Sequence, residues 1–210
     1  MVSYLDNLEK FYPRNRDEWH EWLKENHETS PGIWVIFYKK NSGKPVVSYD
    51  DAVEEALSFG WIDSKANSLD DERYLQVFTP RKPGSNWSKL NKDRVLKLTK
   101  QGRMQPAGLK KVEAAKKDGS WTFLNNIDAL IMPEDFKLEI EINVVAAKNY
   151  QAFSDSIKKQ ILYWIATAKR EDTRKRRIRK IIKSAENNEN PFIKEENRNE
   201  STEGQYIPSR

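Results

Sequence analysis

The pattern of apolar and polar positions in the first half of the chain predicts a small β-sheet. Ile33–Tyr38 is an unbroken apolar and aromatic run, which is typical of a strand covered on both faces. Residues 61–66 and 73–79 are also strand-like, and the acidic turn between them, with Asp70 and Asp71, favours an antiparallel hairpin. We therefore expect a mainly antiparallel sheet of three strands or slightly more.

Helical spacing of apolar residues flanks this sheet. Asp17 is placed to cap a first helix, and Ser48 with Asp51 resembles a capping box for a second helix that ends at Gly60. A third helix should begin after Ser85, and Pro106 falls where the first turn of a fourth would lie.

The second half of the chain shows helical spacing throughout. Pro133 is well placed to open a helix, with a break expected near Asn149, and Ser154 is placed to cap the clearest apolar stripe. That stripe is interrupted at residues 171–172, so the helix either bends there or a new helix begins at Thr173.

These patterns predict the α+β class, with a small mainly antiparallel sheet and packed helices, followed by an all-helical C-terminal half. We expect an α+β domain over residues 1–122 and a helical subdomain, packed on it, over residues 123–187. A flexible polar tail is expected over residues 188–210.

Composition narrows the class of protein. The chain has 210 residues, of which 37% are hydrophobic and 33% charged, and its seven Trp, eight Tyr and eight Phe supply enough apolar bulk for a globular fold. It has no Cys, which excludes disulfides, thiolate nucleophiles and thiolate metal sites. The N-terminal residues lack the apolar segment of a signal peptide, so we expect a soluble, cytoplasmic protein without a membrane span.

No standard catalytic constellation occurs in the sequence. The only histidines, His20 and His27, lie seven residues apart on one predicted helix, about 10.5 Å along its axis, too far to share a metal. Nucleophile-elbow, phosphate-loop and dinucleotide motifs do not occur. We therefore predict no catalytic residues, metal or cofactor, and favour a binding protein over an enzyme. The alternative enzyme would use Asp63, Arg81, Ser85 and Asn91.

Residues 58–87 hold the best candidate site, because apolar walls and ionisable groups converge there. Two prolines stiffen the loop after the predicted hairpin, and Arg81 with a predicted helix N-terminus favours an anion. In the alternative interpretation, Ser85 or Asn86 merely caps the helix, Arg81 pairs with Asp63 and Arg103 caps helix carbonyls. The predicted ligand-binding residues are Trp61, Asp63, Arg81, Ser85, Asn86 and Arg103.

The net charge of +5 is concentrated near the C-terminus. Residues 169–183 contain nine basic residues and two acidic ones, so the rest of the chain is slightly acidic. An outward arc of Arg174, Lys175, Arg177 and Lys180, or their neighbours, would contact nucleic-acid phosphates without reading sequence. The alternative is an ordinary solvated helix face, since no base-stacking platform accompanies the cations.

Several short motifs together resemble a known family. They are 59–63 (Phe-Gly-Trp-Ile-Asp), 78–81 (Phe-Thr-Pro-Arg), 85–88 (Ser-Asn-Trp-Ser), 102–104 (Gly-Arg-Met) and 168–174 (Ala-Lys-Arg-Glu-Asp-Thr-Arg). With them the chain resembles the YdeI/OmpD-associated, or bacteriocin-protection, family over about residues 19–185.

The resemblance implies a small bacterial protein linked by name to bacteriocin tolerance and to an outer-membrane porin, with no agreed catalytic activity or cofactor. We therefore expect a bacteriocin-protection or stress-tolerance protein that binds an anionic small molecule or a protein partner without catalysis. The alternative is a weak, sequence-independent nucleic-acid binder that uses the basic C-terminal helix.

Overall fold

A computed structural model describes residues 4–39 and 42–193 of the chain. It divides into two compact units, Met1–Leu124 and Asn125–Arg210. The first unit contains a sheet with helices and the second is helical, which confirms the predicted α+β class. The end of the predicted polar tail, residues 194–210, lies outside the described residues.

The first unit has a four-stranded sheet in the order β1-β2-β4-β3. Its strands are β1 (Lys10–Phe11), β2 (Ile33–Tyr38), β3 (Trp61–Ser68) and β4 (Arg73–Pro80). β1 pairs with β2 in parallel and the other pairs are antiparallel, which confirms the predicted hairpin of β3 and β4. The register shifts between Asp63 and Ala66, so β3 is irregular next to Asp63.

Helices surround the sheet and make up the second unit. In the first unit, a 3₁₀ helix at Tyr4–Asn7 precedes α1 (Arg16–Asn26), α2 (Tyr49–Ser58), α3 (Lys89–Lys100) and α4 (Pro106–Asp118). The helices of the second unit are α5 (Asn125–Asp128), α6 (Glu134–Ile142), α7 (Val144–Ala152), α8 (Asp155–Ala166) and α9 (Glu171–Glu186).

Two of the predicted helix caps in the first unit are wrong. Asn15, not Asp17, caps α1, and its side chain accepts a hydrogen bond from the Glu18 amide. Ser88 caps α3, three residues later than predicted, by accepting from the Asn91 amide. The capping serines of α2 and α8 are as predicted.

The second unit differs from its prediction at one break. Helix α6 ends at Asn143, which also caps α7 by accepting from the Ala146 amide, so the break predicted near Asn149 is six residues too late. Asn143 has an extended backbone, and its side chain satisfies an amide that the new helix leaves open. A separate helix follows α8, as one alternative held, although it begins at Glu171.

The core of the first unit packs helices against one face of the sheet. Trp19 stacks on Trp22 with ring centroids 5.3 Å apart, and its Nε1 donates to the Ala52 carbonyl. Trp34 lies in a smaller cluster on the other face, which explains why Ile33–Tyr38 is apolar throughout. Within the described part of the chain, no helix is both long and apolar enough to cross a membrane.

The second unit has a core of its own. Its buried residues come from all five helices, α5 to α9, and they include Ile127, Phe136, Ile140, Tyr150, Ile161, Leu162, Ile165, Ile178 and Ile181.

Candidate functional site

A cavity of about 790 Å³ opens in the first unit beside the end of the β3–β4 hairpin. Its walls come from the end of α1, the turn between α2 and β3, the loop after β4, and α4. The apolar part of the lining consists of Phe59, Trp61, Pro80, Pro83, Trp87, Pro106, Ala107, Ala114 and Ala115. A concave, partly apolar surface of this size suits a small-molecule ligand.

Arg81 lies in the cavity wall and is only 4% exposed. Its Nη1 donates to the Asn86 carbonyl at 2.9 Å and to Ser85 Oγ at 3.2 Å. The guanidinium carbon lies 3.8 Å from the centroid of the Trp87 ring, a cation–π contact. These contacts fix the side chain beside the cavity.

The charge of Arg81 has no anionic partner. No carboxylate of the described residues lies within ion-pair distance of it, and its buried Nε has no hydrogen-bond partner. Burial lowers the pKa of Arg81 to about 10, and the more distant charge of Asp63 only partly opposes this. The group is therefore a cation at neutral pH that is buried without a counter-ion, an arrangement that folded proteins rarely leave uncompensated.

Three further cations line the cavity. Lys82 follows Arg81 in the loop, and Lys110 and Lys111 project from α4. None of the three forms an ion pair with the described residues. A fourth, Lys24, is paired with Glu21 at 3.0 Å. Together with Arg81, these lysines make the cavity electropositive.

The two acids that line the cavity offset only part of this positive charge. Asp118 accepts from the Gly84 amide at 3.1 Å and from the Ser120 amide at 2.9 Å, and hydrogen bonding by Ser120 lowers the pKa of this carboxyl. Asp118 therefore fastens the loop after β4 to the end of α4. Glu28, the other acid, has a largely solvent-exposed side chain.

Gly60 contacts both the loop after β4 and helix α4. It has a left-handed backbone, with φ of 78°, and its carbonyl accepts from the Arg81 amide at 3.0 Å. A Cβ at this position would lie 2.7 Å from Cγ of Lys111 and 3.1 Å from the Ala107 carbonyl oxygen. The absence of a side chain thus lets α4 approach the turn that holds Arg81.

Three of the six predicted ligand-binding residues line the cavity, namely Trp61, Arg81 and Ser85. Trp61 is buried, and its Nε1 donates to the His27 carbonyl at 3.1 Å. Ser85 donates from Oγ to the Lys82 carbonyl, so it shapes the loop. Because α3 begins later, Ser85 and Asn86 do not lie at a helix N-terminus.

The other three predicted residues are not in the lining. Asp63 accepts from the Tyr49 hydroxyl at 2.6 Å and forms no ion pair with Arg81. Arg103 Nη2 pairs with Glu55. The Asn86 carbonyl accepts from Arg81.

The sequence reasoning missed the contributions of α1 and α4. His27 lies in the lining, and its Nδ1 donates to the Leu23 carbonyl at 2.9 Å, which fixes the ring. Lys110 and Lys111 gave no signal in the sequence, because adjacent lysines on a helix usually face solvent.

A second charged cluster, also missed, surrounds the buried Glu55. Glu55 Oε1 accepts from Arg16 Nε at 2.6 Å and Oε2 contacts His20 Nδ1 at 2.9 Å, while Arg103 completes the group. Arg16, His20 and Arg103 each contact Glu55, so this cluster ties α1, α2 and the α3–α4 connection together. The described residues contain no group of three or more His, Asp or Glu arranged to hold a metal ion.

Of the predicted outward arc of α9, Lys175 and Lys180 are exposed, whereas Arg174 and Arg177 are partly buried. Arg174 Nη2 donates to Asp135 at 2.7 Å, and Arg177 contacts the Trp164 carbonyl and ring. Both arginines therefore pack against other helices of the second unit. Lys175 pairs with Glu171 at 2.6 Å. Lys180 is exposed, with Nζ 5.6 Å from the Trp164 ring centroid. The outward cations of α9 also include Arg176, Arg179 and Lys183.

Comparison with known proteins assigns the two halves of the chain separately. Residues 11–111, which supply most of the cavity, match a family described as Domain of unknown function (DUF8412). Residues 129–188 match the family described as Bacteriocin-protection, YdeI or OmpD-Associated. No curated protein and no solved structure matches the chain. The resemblance drawn from the motifs is thus confirmed over residues 129–188, which match the model of the YdeI/OmpD-associated, bacteriocin-protection family.

Proposed function

We propose that the first unit binds a small organic anion in the cavity beside Arg81, without catalysing a reaction. The observation that carries this proposal is the guanidinium of Arg81, which is 4% exposed and has, among the described residues, no hydrogen-bond partner for its Nε and no carboxylate within ion-pair distance. A buried charge of this kind costs several kcal/mol unless a counter-ion compensates it. A bound anion would supply that counter-ion.

The walls of the cavity define the rest of the ligand. The accessible apolar surface of the lining comes from Pro80, Pro83, Pro106, Ala107 and Ala114, and the buried rings of Trp61 and Trp87 lie behind it. An inorganic ion would leave this surface in contact with water. An anion that carries an apolar group would cover it and gain roughly 25 cal/mol for each Å² of apolar surface buried.

Phenyl phosphate and inorganic phosphate form a matched pair of probes for this proposal. A ligand of the folded state raises the melting temperature. We expect phenyl phosphate to raise it more than phosphate does, because the phenyl group also covers apolar surface of the cavity. Arg81→Gln should abolish both shifts. The matched control Arg73→Gln changes the first residue of β4, which pairs with Asp70 outside the cavity, and it should retain them.

Isothermal titration calorimetry on the same variants separates binding from any loss of stability. A dissociation constant that is equal in wild type and Arg81→Gln would refute the proposal, as would the absence of any heat of binding with either probe.

The family match concerns the biological role of the proposed anion binding. The bacteriocin-protection description of residues 129–188 supports a role in bacteriocin or stress tolerance, exerted through the ligand or through a protein partner. A cytoplasmic location is part of the proposal. Cell fractionation tests the location, and comparison of bacteriocin sensitivity between a deletion strain and strains complemented with wild type or Arg81→Gln tests the role.

A second candidate function, nucleic-acid binding, is supported by the outward face of α9. Arg176, Arg179 and Lys183 are exposed, follow one another at helical spacing, and form no ion pair with the described residues. Such a face would contact phosphates without reading sequence. Fluorescence anisotropy with a labelled DNA duplex should show affinity that falls steeply with salt and is lost in Arg176→Gln/Arg179→Gln. Salt-independent affinity, or equal affinity in the double variant, would eliminate this candidate.

A further inference from the structure

We infer that the ligand of the cavity is an organic oligophosphate, with at least two linked phosphate groups and an apolar or aromatic portion. This inference rests on the proposed function, since it concerns the same cavity. It follows from the number of uncompensated charges at the cavity, from the two directions from which they come, and from the chemical type of the cations.

The charges at the cavity exceed what a monoanion can neutralise. Five basic residues and two acids line it. Lys24 is paired with Glu21, and the oxygens of Asp118 accept from the backbone amides of Gly84 and Ser120. Four basic side chains are left without a carboxylate partner among the described residues: Arg81, Lys82, Lys110 and Lys111. Only a ligand with two or more negative charges can compensate most of this excess.

The four cations approach the cavity from two sides. Arg81 and Lys82 belong to the loop after β4, whereas Lys110 and Lys111 belong to α4. The two sides meet at Gly60, whose carbonyl accepts from the Arg81 amide and whose Cα lies against the side chain of Lys111. A chain of phosphates would contact both sides, with one end at Arg81 and the other towards α4.

The donor groups suit phosphate. The Nη1 of Arg81 is already bonded to Ser85 and Asn86, so a phosphate oxygen would meet the remaining nitrogens of the guanidinium. The remaining cations are lysines, which act as point charges and are common phosphate ligands. The volume of about 790 Å³ leaves room for an organic group against Trp61 and Trp87 in addition to the phosphates.

Titration with phosphate, diphosphate and triphosphate in Mg²⁺-free buffer tests this inference. We expect the affinity of the wild type to rise at least about tenfold from phosphate to triphosphate and to fall with added salt. Lys110→Gln/Lys111→Gln should lower the affinity for triphosphate more than the affinity for phosphate and so flatten that rise, because Arg81 is unaltered. The matched control, Lys116→Gln/Lys117→Gln, removes two lysines from the same helix outside the lining and should preserve the rise.

Each outcome decides a separate point. Equal affinities for the three phosphates would overturn the inference and leave anion binding at Arg81 in place. Citrate that binds as tightly as triphosphate would overturn the phosphate class. If no probe binds, or if Arg81→Gln leaves binding unchanged, the proposed function fails together with the inference.

Discussion

Gly108→Ala tests the close contact of α4 with α2, which brings Lys110 and Lys111 to the cavity. A Cβ at residue 108 would lie 2.1 Å from the Ser58 carbonyl oxygen and 2.9 Å from that of Leu57. Both contacts are to backbone atoms, which cannot move aside as a side-chain end can. Helix α4 would have to retreat from α2 by about 1 Å to restore ordinary contact distances.

The expected cost is the difference between two effects. Overpacking of this kind costs about 1–3 kcal/mol or somewhat more, whereas replacing Gly by Ala inside a helix gains about 1 kcal/mol. Because the clash is with backbone, we expect Gly108→Ala to lower the free energy of unfolding by about 2 kcal/mol. For a chain of this length, that loss corresponds to roughly 4–8 °C in melting temperature.

Urea denaturation monitored by tryptophan fluorescence measures this loss, and triphosphate titration measures the effect on the cavity. The matched control, Glu113→Ala, replaces an exposed residue of the same helix and should change the free energy of unfolding by less than about 0.5 kcal/mol. If Gly108→Ala is as stable as wild type, or more stable by the helix-propensity gain alone, α4 does not pack on α2 as described.

Three further predictions concern charged groups. Glu55→Gln should destabilise the protein by about 3 kcal/mol in urea denaturation, because a buried carboxylate that holds Arg16 and Arg103 becomes neutral; a loss below about 1 kcal/mol would contradict this. Burial alone would raise the pKa of Glu54, but hydrogen bonds from Lys97 and Arg16 lower it overall. The stabilisation from Glu54 is therefore present above its unfolded pKa and is lost as the pH falls through the lower folded pKa. Acid titration of Glu54→Gln should show a weaker loss of stability below about pH 4.5 than wild type shows. Arg174→Gln should destabilise the second unit by about 1–2 kcal/mol, because Arg174 holds Asp135, whereas replacement of an exposed α9 arginine by Gln should have almost no effect in the same thermal melts.

The strands and most helix termini could be predicted because their signals are local. The unbroken apolar run of β2 and the capping serines of α2 and α8 each depend on a few neighbouring residues. The start of α3 was mispredicted because the segment Ser85-Asn86-Trp87-Ser88 contains two serines suited to a cap. Tertiary contacts decide that Ser88 is the cap. Ser85 and Asn86 accept hydrogen bonds from Arg81, and Trp87 is buried under the Arg81 guanidinium.

The parts of the site that could not be predicted depend on residues distant in the chain. Lys111 reaches the cavity because Gly60, 51 positions earlier, has no side chain to exclude it. Arg174 faces inward because Asp135, on another helix, accepts its hydrogen bonds. Periodicity locates the faces of each helix, but it does not state which face meets which partner.

The most direct test of anion binding at Arg81 follows the NMR resonance of its Nε–H group, which is assigned by its loss in Arg81→Lys. In the free protein this group has no hydrogen-bond partner. When diphosphate is added, we expect a saturable shift of this resonance, with a midpoint equal to the dissociation constant measured by calorimetry. An Arg81 Nε–H resonance that stays fixed while diphosphate binds elsewhere on the protein would contradict the account.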